Sequence, residues 1–441
     1  MLDRFLFQRI DNSPLIIFRI FFGFLVACES FGALATGWVH KNLVEPRFNF
    51  PFIDFNWLQP LPGYGMYVYF SMMGLLGVCI ALGYKYRFSI ISFTLLWTAV
   101  YLMQKTAYNN HYYLLVLLSL FMCFVPADKN YSLAVKKHPE QKSDTMYSYM
   151  KWLIVFQLLI VYVYASTAKL YGDWLDFGMI RILMRPVAHY PLIGELLQQE
   201  WTHKIIGTVG ILFDLLIIPA LLWNRTRKLA FCLSIFFHLF NSIVFQIGIF
   251  PYLSLAFSVF FFEPETIRRI FFKKKKGYIG NEVKVPKHRN IILTLLSSYF
   301  IIQLLLPLRH HFISDNVLWT EEGHRLSWRM MLRSRSGKGK FKVVNNQTGE
   351  KTIIEPKEFL SNSQQRKVFA YPDFAWQFAG YLQQEYAQNG ENISVYLEQS
   401  RISINGKPYA PFIDPKTDLA NTPWLRFKHH AWILPSALED K

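Results

Sequence analysis

Charge is scarce in this chain. Only 17% of its 441 residues are Asp, Glu, Lys or Arg, against about a quarter in an ordinary soluble protein. Acid is the scarcer sign, with 30 Asp and Glu against 47 Lys and Arg and a formal net charge of +17. That excess does not read as a nucleic-acid surface. The positive residues gather in short segments between apolar runs, the pattern of inside loops in membrane proteins. Cysteine is rarer still: Cys28, Cys79, Cys123 and Cys232 all lie in apolar stretches with no CxxC pair. This argues against a disulfide framework or a thiolate metal site and predicts small buried hydrophobes. Walker A, GxGxxG, HExxH and Gly-x-Ser-x-Gly patterns are missing, so nucleotide, metalloprotease and serine-hydrolase readings have no support. His310-His311 and His429-His430 are adjacent pairs without the companion His boxes of a membrane di-iron enzyme. No cleavable signal precedes the first apolar run, which reads as an uncleaved anchor, and neither internal repeats nor low-complexity linkers are visible.

What the chain has in abundance is apolar length. Hydrophobic residues make up 52% of it and aromatic residues 17%. A helix needs about 20 apolar residues to cross a bilayer core. Runs of that kind fall near 14–38, 66–83, 88–103, 112–126, 150–168, 205–223, 229–249, 250–262 and 290–307, the fourth and eighth being short. The expected fold is an α-helical polytopic membrane bundle of about nine spans over residues 1–307, followed by a small α+β extramembrane domain over 308–441. Lys85 and Arg87, the stretch Lys129 to Lys151, Arg225 to Lys228 and the loop Glu263 to Arg289 share one side if the N-terminus is cytoplasmic. The positive-inside rule then puts the C-terminal domain outside. The run Lys273–Lys276 fits the same rule, with binding of anionic lipid as a second use. In the C-terminal domain, strands are expected at 340–344, 351–354, 393–398 and 400–404, with Asn405-Gly406 as a hairpin turn. A helix is expected from Pro372 to Asn389, closed by Gly390.

Polar groups inside spans are costly and are candidates for function. Asn109, Asn110 and His111 stand where a chain would normally enter lipid; a helix cap and a functional triplet are both open for them. Lys169 lies at the outer end of a span, where a lysine often snorkels to the interface, although Ser166 and Thr167 precede it. His238, Ser242 and Gln246 recur at helical spacing with Asn241 beside them, as a stripe that could line a cavity. Asp214 sits within an apolar run and must be paired or neutral; a histidine or lysine from another span is the natural partner, and His238 is the expectation.

These segments resemble the vitamin K-dependent γ-glutamyl carboxylase family and its bacterial relatives with an HTTM-type membrane domain. The stretches that carry the resemblance occur in order. They are Leu58-Gln-Pro-Leu-Pro-Gly63, Lys105 to His111, Ala168-Lys-Leu-Tyr-Gly-Asp-Trp174, His238-Leu-Phe-Asn-Ser242 and Ile247-Gly-Ile-Phe-Pro-Tyr252. Beyond residue 307 they continue as Ser327-Trp-Arg-Met-Met331, Arg333-Ser-Arg-Ser336 and Phe412-Ile-Asp-Pro415. The resemblance implies oxidation of vitamin K hydroquinone by O2 to the epoxide, a strong base formed on the way, removal of a glutamate γ-proton, and addition of CO2, with no metal. It implies Lys169 as the base toward the hydroquinone, because a neutral buried lysine suits that role and its reference pKa of about 10.4 is too low for an unactivated carbon. His111 with Asn110 would bind the hydroquinone and steady its oxyanion. Phe250, Met330 and Met331 would wall the quinone pocket, and His238 would support it. Arg335, Trp328 and Arg185 are the candidates for holding the glutamate carboxylate.

The implied partners are a glutamate-containing exported peptide or protein, membrane lipid and a quinone reductase, with no nucleic acid. The short chain places the expectation in a bacterial cytoplasmic membrane, with the C-terminal domain in the periplasm. Departures from the family pattern cluster toward the substrate side. Paired lysines become Ala168-Lys169, Pro251 replaces a serine, and a histidine becomes Arg333. No cysteine lies near Glu45–Phe55, and the chain stops soon after Asp414-Pro415, before the region by which animal carboxylases grip a propeptide. Two alternatives therefore accompany the carboxylase reading: a quinol epoxidase without carboxylation, and a non-enzymatic membrane protein that binds lipid or quinone or carries a solute.

Overall fold

A computed structural model describes residues 1–438. Seven helices are long and apolar enough to cross a membrane: α1 (Ser13–Ala35), α2 (Gly65–Leu82), α3 (Tyr86–Met103), α5 (Ser148–Thr167), α6 (Glu200–Leu222), α7 (Arg227–Val244) and α9, whose Arg289–Leu305 turns continue to Phe312. Two shorter apolar helices, α4 (Asn110–Phe124) and α8 (Phe250–Phe257), complete the bundle. The chain is a multi-pass membrane protein, and its shortest helices are the two runs that fell short in sequence.

Small residues decide the closest packing. A Cβ on Gly23 of α1 would lie 2.3 Å from the Ala81 backbone nitrogen, and one on Gly77 of α2 would lie 2.7 Å from that of Ala27. The two helices thus meet backbone to backbone, as membrane helices do where dispersion rather than water exclusion drives contact. Arg19 of α1, fully buried, donates to the carbonyls of Ala127 (3.1 Å), Asn130 (3.3 Å) and Tyr131 (2.6 Å). It ties down the loop that follows α4.

The positively charged loops meet at one end of the bundle. Arg9–Asp11 pairs antiparallel with Thr145–Tyr147, and Gln8 bridges to Val283. Asp11 accepts from Lys275 Nζ at 2.9 Å, from the Tyr278 amide at 3.0 Å and from the Ser13 hydroxyl at 2.6 Å. Lys275 is therefore a buried latch and not a lipid-facing member of its lysine run.

The C-terminal domain carries a four-stranded antiparallel sheet of β1 (Arg335–Asn345), β2 (Lys351–Ile354), β3 (Ile393–Ile404) and β4 (Ala410–Pro411), in the order β2-β1-β3-β4. Helix α10 (Pro372–Gln388) packs on it through Phe374, Phe378 and Leu382, against Phe341, Val343, Val395 and Leu397. The two expected strands 393–398 and 400–404 are one. Gln399 adopts φ +51° and the register shifts between Lys338 and Lys340, so the apparent break is a β-bulge. Asn405 and Gly406, at φ +53° and +77°, make the expected turn.

Two expectations need correction. The cysteines are free but not uniformly buried, since Cys28 and Cys232 are exposed on the apolar flank of the bundle. The polar stripe of α7 is broken. The helix ends at Val244, and Gln246 takes φ +50° just before Gly248 at φ +64°. Only His238 and Asn241 of that set are buried. Ser242 meets the Tyr252 hydroxyl at 2.9 Å, and Gln246 donates to the Tyr190 hydroxyl at 2.7 Å.

Candidate active site

A cavity of about 1580 Å³ lies between α1, α4, α6, α7, the start of α8 and the loop 324–333. Its walls include Phe213, Phe237, Phe250, Met330 and Met331, and its polar groups include Lys169, Asp214, Asn110, His111, His324 and Arg329. The flank formed by α6 and α7 contributes Ile205, Leu212, Leu216, Leu233 and Phe236, all of which are also exposed on the outer surface. The cavity thus opens sideways through an apolar wall.

Lys169 follows the last turn of α5, and its Nζ forms a buried ion pair with Asp214 of α6. The Ser166 hydroxyl, donating to the Ile211 carbonyl at 3.0 Å, fixes α5 against α6 just before that pair. The lysine ammonium also lies 5.3 Å from the centre of the Trp174 ring, within cation–π range. Asp214 is not paired with His238. The imidazole of His238 meets the Tyr162 hydroxyl at 3.1 Å, while its Nδ1 has no partner among the described residues. The aromatic ring of Phe213, preceding Asp214 on α6, packs edge-on at 5.8 Å from His238 and fills the space between the two helices.

In the same cavity, the His111 ring stacks on Phe250 with centroids 4.2 Å apart and planes inclined by 20°. Phe250 in turn lies 5.9 Å from His238 in an edge-on arrangement. His238 is therefore a neighbour of the wall and not part of it. The Asn pair divides its work. The side chain of Asn109 caps α4 by accepting from the Tyr112 amide at 2.7 Å, whereas Asn110 donates to the Arg329 carbonyl at 3.0 Å and accepts from Tyr108 at 2.9 Å. Asn110 hence joins α4 to the loop that carries Met330 and Met331.

The three residues expected to hold a carboxylate do not line the cavity. The Arg335 side chain is wholly enclosed. It donates to the carbonyls of Leu318, Trp319 and Ala370 and lies 3.5 Å from Glu321. Trp328 is 1% exposed and stacked on Tyr113 at 4.8 Å. Arg185 is exposed, at the start of the short helical turn Arg185–Val187. Arg335 and Trp328 thus sit in packing and Arg185 at the surface.

Other residues that sequence reasoning passed over do reach the cavity. Glu29 of α1 accepts from the Tyr112 hydroxyl at 2.7 Å and faces the space. Its signal was plain, a carboxylate inside the first span. His324, Arg329, Arg333 and Tyr371 form the polar end. The Arg333 guanidinium is held by both oxygens of Glu321. Burial, and then the charges of Arg333, Arg329, Arg325 and Arg335, hold the His324 imidazole well below its ordinary range, so it is neutral. Burial, followed by Arg333, pushes Arg329 down to about 10. It remains a cation at neutral pH.

Two family models match the chain. Residues 7–265 match the HTTM domain, and residues 288–439 match the lumenal domain of vitamin K-dependent γ-carboxylase. No solved structure matches.

Proposed function

Since the chain belongs to the vitamin K-dependent γ-glutamyl carboxylase family, we propose that it oxidises vitamin K hydroquinone with O2 and uses the base so formed to carboxylate glutamate in a peptide. The observation that carries this reading is the buried pair of Lys169 and Asp214 lining the same apolar cavity as His111 and Phe250.

The residues fit the ligand. A naphthoquinone ring suits walls of Phe and Met, which are apolar and polarisable, and a cavity open toward lipid suits its isoprenoid tail. Reduced vitamin K, when bound, supplies the reducing power and, with O2, the strong base. The chain supplies proton handling. In a dry site a lysine beside a carboxylate shares one proton with it, so Asp214 can take the proton that leaves Lys169 amine-like and able to accept another from a quinol hydroxyl. His111, stacked on Phe250, is positioned to orient the quinol ring and to donate to its oxyanion. Exclusion of water protects the base from wasteful protonation.

We extend the proposal to topology. The basic loops that meet at the Asp11–Lys275 end belong on the cytoplasmic side, which leaves the C-terminal domain and an exported substrate outside, with a quinone reductase regenerating the quinol. One observation favours quinol epoxidation alone as a second reading. The arginines of the Arg333-to-Ser336 stretch are closed off by Glu321 and by backbone carbonyls. Purified protein given hydroquinone, O2, labelled bicarbonate and a glutamyl peptide separates the two. Epoxide together with fixed label, both lost in Lys169→Ala, supports carboxylation; epoxide without label supports the second reading. Retained epoxidation in Lys169→Ala removes Lys169 from the base role.

A further inference from the structure

Two acids line the large cavity, Asp214 and Glu29. Asp214 is paired with Lys169. Glu29, inside the span α1, has no cation beside it among the described residues. The Tyr112 hydroxyl donates to one of its oxygens at 2.7 Å, and the other oxygen has no hydrogen-bond partner among them. A carboxyl placed so within a span is costly and is a candidate for function. Glu29 and Tyr112 also line a second chamber of about 20 Å³, together with Trp97, Tyr101, Gln104 and Tyr108. That volume has room for one water. The Tyr101 hydroxyl is buried without a partner among the described residues, a cost that one water removes. Gln104 is already committed, donating to the Asn42 carbonyl at 2.9 Å and to Asn49 Oδ1 at 2.6 Å. The chamber thus reaches from a carboxyl in α1 to the polar turn that follows α3.

The proposed reaction leaves one proton over. Oxidation of the quinol sends one oxygen of O2 into the epoxide and the other, with the two hydroxyl hydrogens, into water. At the glutamate a γ-C–H bond breaks and a C–C bond to CO2 forms. The hydrogen lost there is one more than the water holds, and it leaves as a proton while the product keeps a new carboxylate. Lys169 and Asp214 already share a proton, so a further proton left on them would block the next cycle. Apolar walls offer it no other carrier.

We propose that Glu29 is the proton exit of the cavity: held by Tyr112, it takes the surplus proton and passes it through a water in the small chamber to the turn beyond α3. The source of the proton rests on the carboxylase reading, but exchange at Glu29 is tested without turnover. Full-length protein in lipid nanodiscs, without quinol, is treated with a lipophilic carbodiimide, which reacts with a protonated carboxyl, and the modified residues are located by mass spectrometry. Modification of Glu29 is expected to fall about tenfold or more between about pH 6 and about pH 9, as for a carboxyl in exchange with buffer. In the turnover assay Glu29→Gln should fix label about 10²-fold more slowly, with affinity for the quinone epoxide and the melting temperature unchanged. Glu29→Asp should recover part of the rate, and so should raising the imidazole concentration with Glu29→Gln, whereas the unaltered chain ignores imidazole. Tyr101→Phe, which removes the anchor of the water, should slow fixation about fivefold. Modification of Glu29 that is absent or indifferent to pH overturns the proposal. A natural rate in Glu29→Gln, or a lost rate that imidazole does not restore, overturns it as well, and a natural rate in Tyr101→Phe removes the chamber as the route. Modification that follows pH, with no label fixed by the unaltered chain, would leave exchange at Glu29 standing and remove carboxylation. Fixed label with modification indifferent to pH would do the reverse.

Discussion

Lys105 and Asp373, 268 residues apart in sequence, form a buried ion pair that joins the turn between α3 and α4 to the first turn of α10. Burial pushes Lys105 down to about 8, against the pull of Asp373. Although burial alone would raise it, Arg325 and Lys105 hold the Asp373 carboxyl well below the usual carboxylate range. The membrane helices and the C-terminal domain are thus coupled by charge.

Asp373→Asn is expected to cost about 3–5 kcal/mol, because it leaves Lys105 and Arg325 buried with a neutral partner. The pH dependence follows from the depressed carboxylate. Its contribution is present above the unfolded value of about 3.9 and is lost as pH falls below it. Thermal melting in detergent should therefore show an acid limb below about pH 5 that is weakened in Asp373→Asn. An unchanged acid limb would remove Asp373 from that role.

Asp214→Asn should lower epoxide formation by about 10²–10⁴-fold, the range of a lost acid–base partner. A Lys169→Met, Asp214→Leu double variant should fold at least as well as either single one, since it removes both buried charges, yet form no epoxide. Epoxide at the natural rate in Asp214→Asn would show that Lys169 acts without it.

Phe250→Ala removes the ring stacked on His111. Loss of the stacking energy, about 0.5–1.5 kcal/mol beyond area burial, should raise KM for hydroquinone roughly three- to tenfold with a smaller change in kcat. Steady-state kinetics against quinol concentration measures it, and an unchanged KM would place the ring elsewhere.

Arg335→Gln and Arg329→Gln should part company in stability. The first strips three backbone carbonyls of their donor and is expected to destabilise by about 1–3 kcal/mol or more, while the second leaves the melting temperature near its natural value. Parallel melting curves decide the matter. Equal losses would show that the single contact of Arg329, with His310 Nε2 at 3.4 Å, is worth as much as the three carbonyls of Arg335.

The bundle was legible because apolar length and basic loops are properties of single segments, and the nine runs match nine helices within a few residues. The end of α7 was misjudged because Phe245, Ile247 and Ile249 prolong an apolar run that Gln246 and Gly248 bend away. Lys169, His111 and Phe250 could be singled out because motifs carry them, and the cavity brings them together. Arg335 was misplaced for the opposite reason. A motif marks that a residue matters without saying whether it faces ligand or backbone, and Glu321, its neighbour in space, lies 14 positions earlier in the chain. Pairings between distant segments, such as Lys169 with Asp214, depend on helix rotation, which no periodicity in a uniformly apolar run defines.

The sideways opening between α6 and α7 changes what concentration means for this protein. A ligand entering there comes from the hydrocarbon phase, so the bilayer is its solvent and mole fraction among lipids sets occupancy. Adding lipid at a fixed amount of quinol dilutes the ligand even though the volume of buffer is unchanged.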